Sequence, residues 1–450
     1  MQNSLENKNI CFVANFYKTY FFHEIAKVLE SEGINTYWII PKLSQHTYLS
    51  KYFSNDRLLS IPWNIKTQNP INDYKINELI YGDRVLKYKS YEAISFLHSI
   101  QKPIYDFISN NKISYIFGEC TWAHELLIHR IVSRQKELKC SYLSMHTIRI
   151  PNGRFAFFTD EKMSHILENQ FSNAPDINIE LKVEKPSYLK LNDAILKKNK
   201  SILGRVGRLK RFITGINIEE KDPNVNYGIR RIFSACKEEV NRETYKLIKK
   251  DDIKDIIKKK FILFGLHKQP EASVDVSGRY FENQYSNIVN LWRNLPNDWY
   301  LVVKEHSNAI GDRSYSFFKS ILKFPNIIIA KESIDSYELM KHAQLVATNT
   351  GTMALESALM DIPAITFSPV FFNKLKYCRN INFLNLQNYN TLEELIAEIT
   401  ASGNNIDEYK EYIIRNSFEG CIGDIHATPS IIDSGNIHKV SKAILKLVKQ

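Results

Sequence analysis

The turn Thr348-Asn349-Thr350-Gly351-Thr352 follows the apolar run Leu345-Val346-Ala347 and leads into Met353–Met360, a stretch of helix-favouring residues. Strand, hydroxyl-rich turn and helix, in that order, is how an α/β protein presents unpaired backbone N–H groups and the positive end of a helix dipole to an anion. Gly351 lets the backbone come close to such a ligand, and the threonine hydroxyls are available donors. A Thr/Gly turn before a helix is more often only a cap, so the weight falls on what accompanies it. Strand Phe261–Gly265 runs into His267, Gln269 and Glu271, strand Tyr300–Val303 into Lys304, Glu305 and His306, and strand Ala364–Phe367 into Ser368. Several such groups meeting a hydroxyl-rich anion turn at one sheet edge point to a nucleotide-phosphate site.

The elements that position these residues alternate regularly. Helical patterns at 283–295, 315–322 and 336–342 separate strands at 261–265, 300–303, 327–330, 345–347 and 364–367. Such alternation predicts a parallel sheet whose post-strand loops converge on one edge. The first half begins in the same way: apolar Asn9–Asn15, a helical pattern through Phe22–Leu29, Gly33, then Asn35–Ile40 closed by Pro41. No G-x-G-x-x-G follows the first strand, so a dinucleotide site is not expected there. Strand Ser114–Phe117 ends at Gly118-Glu119, where Glu119 is either a ligand-contacting group or general base, or the cap of a helix starting near Thr121. After strand Cys140–Leu143 comes Arg149-Ile150-Pro151-Asn152-Gly153-Arg154, a stiff basic loop suited to a carboxylate or phosphate, or simply solvated.

A chain of 450 residues exceeds one ordinary core. The expected division is an N-terminal Rossmann-like domain over 1–165, a basic and mainly helical linker over 166–260, and a C-terminal Rossmann-like domain over 261–450 with a terminal helix able to pack back on the first domain. The linker carries Lys197-Lys198, Lys200, Arg205, Arg208 and Lys210-Arg211 among apolar residues, a pattern that fits solvated helix faces or an anionic membrane surface. Six cysteines without C-x-x-C spacing fit a reducing compartment and argue against a zinc or disulfide framework. A net charge of +11 calls for an anionic partner, but there is no zinc finger, helix-turn-helix or RNP-like strand, so nucleic acid is not expected. With no signal pattern and no run of roughly 18 apolar residues, the expectation is a cytoplasmic protein, peripheral on the inner face of the membrane at most.

Three segments, Leu266–Ser273, Val303–His306 and Thr348–Thr352 with Glu356 in the next helix, together resemble the bacterial capsule polysaccharide biosynthesis proteins and, more distantly, the Kdo transferases of capsule and O-antigen assembly. Gly278–Gln284 and Gly311-Asp312-Arg313 fit the same pattern, and the similarity is concentrated in residues 261–370. The resemblance implies a GT-B architecture, two Rossmann-like domains facing a cleft, with the nucleotide sugar on the C-terminal one. It implies transfer of a sugar, Kdo from CMP-Kdo foremost, to a glycan or glycolipid, without a bound cofactor. Another nucleotide sugar or CDP-glycerol is the alternative donor, and a non-catalytic basic scaffold the alternative class. In that family a His-Pro pair and a Ser/Thr turn bind the cytidine nucleotide; here His306 is followed by Ser307, which leaves the donor open. Donor contacts are therefore expected from His267, Gln269, Glu271, Lys304, Glu305, Thr348, Asn349, Thr350, Gly351, Thr352 and Glu356, with His306 serving the leaving phosphate. Glu119 and Asp160 are the candidates for a catalytic carboxylate across the cleft, and Arg149 or Arg154 for a sugar carboxylate or the acceptor. No DxD-like pair stands at a strand end, so no obligatory metal is implied.

Overall fold

The computed structural model describes residues 8–63, 70–168, 179–184, 229–425 and 428–449. The basic clusters between Lys197 and Arg211, on which a membrane-facing segment was expected, lie outside the described residues.

In the N-terminal half the strands are β1 (Asn9–Val13), β2 (Asn35–Ile40), β3 (Leu58–Ser60), β4 (Ile113–Gly118), β5 (Ser141–Thr147) and β6 (Arg154–Phe158). In β1 and β2 every residue after the first is buried, the mark of strands covered on both faces. β1 pairs in parallel with both β2 and β4, β4 with β5, and only β6 turns back antiparallel on β5. The polar, Tyr- and Lys-rich stretch after β3 supplies helices Ser90–Ser99 and Gln101–Asn110. Ile100 separates the two.

The C-terminal strands are β7 (Phe261–Gly265), β8 (Tyr300–Lys304), β9 (Ile327–Ala330), β10 (Leu345–Thr348), β11 (Ala364–Thr366) and β12 (Cys378–Asn380). They form a six-stranded sheet in the order β12-β11-β10-β7-β8-β9, parallel at every pairing. The chain leaves β7 in one direction and resumes at β10 on its other side, which opens a crevice between the ends of those two strands. The N-terminal sheet reverses in the same way between β1 and β4. Two Rossmann-like units, each with its own switch point, make the architecture GT-B-like.

The chain then returns. β13 (Phe418–Glu419) adds to β6 at the edge of the first sheet, giving it seven strands. The terminal helix Ser434–Val448 buries Ile437, Val440, Ile444 and Val448 against the helix Lys18–Ser31. Two further joints fix the halves. Ile148, Ile150 and Phe158 from the end of the β5–β6 pair share a core with Phe261, Leu263 and Val346 of the second sheet. Val276, in the loop after β7, is buried among the N-terminal residues Ile76, Ile80 and Ala123.

Candidate active site

The crevice between β7 and β10 widens into a cleft of about 920 Å³. It is lined by His267, Glu271, Lys304, Glu305, His306, Thr348, Thr350, Gly351, Thr352 and Glu356, and Arg149 reaches it from the first domain. Most were predicted from the ends of the strands; Glu356 was singled out by the resemblance alone and Arg149 by its basic loop.

At the floor, His267 Nε2 lies 2.6 Å from Thr348 Oγ1 and accepts the Thr350 N–H at 3.4 Å. A ring nitrogen that accepts a backbone N–H carries the lone pair, so the hydrogen sits on Nδ1 and Thr348 donates its hydroxyl. Burial, helped by His306 and Arg313, pushes the His267 pKa down to about 3 and keeps the ring neutral. Gln284 clamps the same residue from behind, its Oε1 accepting His267 N at 2.8 Å and its Nε2 donating to His267 O at 3.2 Å.

Gly351 is required at this floor. A Cβ there would stand 2.7 Å from Thr348 Oγ1 and 3.1 Å from His267 Cε1. The helix that follows runs Thr352–Leu359, one residue earlier than the sequence pattern places it. Ala354 N–H donates to Gly351 O at 3.1 Å, whereas the N–H groups of Thr352 and Met353 have no backbone acceptor among the described residues and stand at the cleft, where an anion also meets the helix dipole. The expected role of the threonine hydroxyls needs correction. Thr348 is committed to His267, and Thr350 Oγ1 donates its one hydrogen to Ser273 O at 2.7 Å. Thr352, exposed at the first helical position, is the hydroxyl of the turn that faces outward.

His306 is solvent-accessible, and its Nδ1 accepts the Asn308 N–H at 3.2 Å. That leaves Nε2–H as the donor. Burial lowers its pKa, with Lys268, Arg313 and Lys304 adding to the effect and Glu271 opposing it. Glu305 is a support rather than a ligand contact: Oε1 accepts from His306 N at 2.8 Å and from Arg313 Nη1 at 2.6 Å. Its Oε2 is buried and has no partner among the described residues, and burial drives the pKa up to about 7 despite Arg313. Buried Lys304 places Nζ 3.4 Å from the carbonyls of Lys331 and Glu332.

The arginine expected to meet a sugar carboxylate spans the domains. Three contacts fall on Arg149 Nη2: Glu356 Oε1 at 2.9 Å, Glu184 O at 3.0 Å and Tyr337 OH at 3.2 Å. Glu356 is thereby paired with Arg149 at the cleft wall, while burial raises its pKa.

Six predicted residues stand elsewhere, among them Ser368, buried with its hydroxyl donating to Ser277 O at 2.7 Å. Buried Asn349 is a strut, its Nδ2 donating to Phe281 O at 3.0 Å and Gly278 O at 3.2 Å. Gln269 holds Asp275 and Gln284. Arg154 is spent on Ser417 and on the Ile414 carbonyl beside β13, which binds the returning chain and not a ligand. Asp160 organises its own turn, accepting the N–H groups of Lys162, Ser164 and His165. Glu119 lies at the switch point of the first sheet, ion-paired with Lys18.

Arg313 was not singled out as a site residue, although it ties Glu305 to the His267 carbonyl. Its segment, Gly311-Asp312-Arg313, fitted the family pattern but was given no role. Also missed was the network that joins the domains. Arg279 donates to Glu78 at 2.7 Å and to Glu161 at 2.5 Å, and Arg130 binds the same two carboxylates from within the first domain. Burial alone would raise the Glu161 pKa, but Arg130 and Arg279 outweigh it and bring it down to about 2. The partners are separated by 118 and 201 residues, so no spacing reveals them.

Residues 303–398 match the family described as "Protein of unknown function (DUF354)", a segment that runs from the end of β8 through β12 and contains most of the cleft. No curated protein matches the chain. Among solved structures the chain is similar to the KpsC beta Kdo 2,7 transferase of Thermosulfurimonas dismutans, at 12% identity over 98% of this chain and 99% of that one, with a TM-score of 0.38. Anabaena Alr3699/HepE in complex with UDP and glucose is similar at 10% identity over 98% and 99%, with a TM-score of 0.28. Methanocaldococcus jannaschii UDP-GlcNAc 2-epimerase in complex with UDP-GlcNAc and UDP gives 13% over 98% and 99%, again with a TM-score of 0.28. Likeness at this level carries nothing about the chemistry of the cleft, which is judged by its own geometry.

Proposed function

We propose that the protein is a glycosyltransferase that moves a sugar from a nucleotide-activated donor to a glycan or glycolipid acceptor, with the donor held in the β7/β10 cleft. One observation carries this reading: His267, the first-turn amides of Thr352–Leu359 and His306 line a single interdomain cleft at the switch point of a parallel sheet. The neutral floor and free amides suit a phosphate, and His306 Nε2–H is a donor for the charge that develops on it as the glycosidic bond breaks. Glu271 lines the same cleft and suits hydroxyls of the ribose or sugar.

The resemblance of Leu266–Ser273, Val303–His306 and the threonine turn to the capsule proteins makes CMP-Kdo the first donor to test, with Arg149 facing its carboxylate. Other nucleotide sugars and CDP-glycerol are the alternatives. Calorimetry with CMP, CDP and UDP separates them, since tight UDP binding without CMP binding would end the Kdo proposal. A basic scaffold without catalysis would keep its partner when His306 is replaced by Ala, whereas an enzyme would lose turnover while staying folded. No helix among the described residues is long and apolar enough to cross a membrane. Peripheral attachment through the basic segment predicts pelleting with anionic vesicles that fades at high salt.

A further inference from the structure

The helix Ile229–Tyr245 falls within the segment expected to link the domains, yet its C-terminal half is part of the donor domain. Tyr245 is buried there with Ile262, Val303 and Phe318, its ring centroid 5.0 Å from that of Phe318. One turn earlier, buried Asn241 donates from Nδ2 to Gly311 O at 3.0 Å. Helix and loop meet backbone to backbone at this point. A Cβ on Gly311 would stand 2.7 Å from Glu238 O, and the φ of +107° is one that glycine adopts without strain.

The loop that Asn241 holds supports both histidines of the donor cleft. From His306 it proceeds in two turns, Ala309 N bonding to His306 O at 2.8 Å and Asp312 N to Ala309 O at 2.9 Å. Gly311 therefore lies at one end of a short hydrogen-bonded stretch whose other end is His306. Two residues on, the largely buried Arg313 guanidinium divides its fork: Nη1 donates to Glu305 Oε1 at 2.6 Å and Nη2 to His267 O. Glu305 Oε1 in turn accepts His306 N at 2.8 Å. A planar fork serves two acceptors at once only while its own backbone is held in place. Neither Asn241 nor Arg313 lines the cleft, but a continuous path of hydrogen bonds and short chain segments joins them to His267 and His306.

We propose that Asn241 is a positioning residue for the donor phosphate: by holding Gly311 it sets Arg313, and through Arg313 the two histidines that meet the phosphate. The helix Ile229–Tyr245 is then a working part of the donor site and not only a connection between domains. The inference rests on the glycosyl-transfer reading, which places the phosphate between His267 and His306. Its effect is selective. The acceptors of Arg313 are the His267 carbonyl and the carboxylate that supports His306, so a shifted loop loosens the grip on phosphate and leaves the rest of the nucleotide to other residues. Movement of this helix would alter donor affinity without touching the cleft.

The test compares nucleotides with their nucleosides, CMP with cytidine and UDP with uridine, by ligand-observed NMR titration. In Asn241→Ala the nucleotide should bind about tenfold more weakly, roughly 1.4 kcal/mol, while its nucleoside changes by less than about twofold. Asn241→Asp keeps the shape, leaves no cavity and turns an oxygen towards Gly311 O, so it should lose at least as much. A merely structural asparagine would weaken both ligands alike. The second arm is a double-mutant cycle: Arg313→Met alone weakens the nucleotide, and adding Asn241→Ala should cost less than about a further twofold. Equal losses for nucleotide and nucleoside overturn the proposal. So does a full tenfold loss added in the Arg313→Met background, or wild-type nucleotide affinity in both Asn241 variants. If CMP and UDP both fail to bind the wild-type protein, the donor reading has failed first and this inference falls with it.

Discussion

The two switch points share a topology and differ in chemistry. Between β7 and β10 the contact is neutral, an imidazole joined to a hydroxyl and a backbone N–H. Between β1 and β4 it is charged, an amide spanning two carboxylates, one of them paired with an ammonium. Strand order decides where a ligand can sit, whereas the first few residues after each strand decide what it can be. A neutral floor beneath free helix amides favours an anion, because no carboxylate competes for it. A carboxylate–ammonium pair favours hydroxyls, because each charge is already answered. The segment 269–281 connects the two: it closes the donor cleft through Thr350 and Ser273, and it enters the first domain through Val276 and Arg279.

The connection is the part most easily broken. Arg279→Met leaves Arg130 as the one arginine on Glu78 and Glu161 among the described residues and should cost about 3 kcal/mol, read as a lower Tm, with the domains more widely spaced by small-angle scattering. The acid sensitivity should change with it. Glu161 has a folded pKa depressed to about 2, so its contribution is present above the ordinary glutamate range and is lost as pH falls from about 4.5 towards 2. The variant should show a shallower loss of stability across that window, and an unchanged slope would show that the pair does not bind the halves together.

His306→Ala should lower kcat by roughly a hundredfold with little change in melting temperature, since among the described residues the exposed ring accepts only from Asn308 N. Gly351→Val should weaken nucleotide binding by about thirtyfold, roughly 2 kcal/mol, because the new side chain must displace Thr348 Oγ1 or His267. Neither change should touch the first domain, and calorimetry with a simple sugar acceptor would show whether it does. The smallest effect is expected from Asp160→Asn, about 1 kcal/mol of stability through its turn and no change in nucleotide affinity. A loss of turnover there without loss of stability would return Asp160 to the candidates for the catalytic carboxylate.

Much of the second half was legible in the sequence. Apolar runs such as Phe261–Gly265 and Leu345–Ala347, each followed within a few residues by polar groups, mark buried parallel strands and their ligand edge without any partner being known. The first half was less legible. Asn15 and Lys18 are unremarked residues in an aromatic stretch, and only the position of β4 beside β1 makes them neighbours of Glu119. Hydroxyl roles were misjudged for the same reason: Thr350 reads as a phosphate donor until Ser273, 77 positions away in sequence, is seen to take its hydrogen. Arg154 looked like a ligand contact because its partner strand, β13, lies some 260 residues further on.

The central claim is that the β7/β10 cleft grips the phosphate of an activated donor. A crystal structure with CMP, CDP or UDP bound tests it most directly. The phosphate should lie within hydrogen-bonding distance of the amides at Thr352 and Met353, with His306 Nε2 turned towards it. A nucleotide found in the β1/β4 crevice, or bound with His306 facing away, would contradict the account.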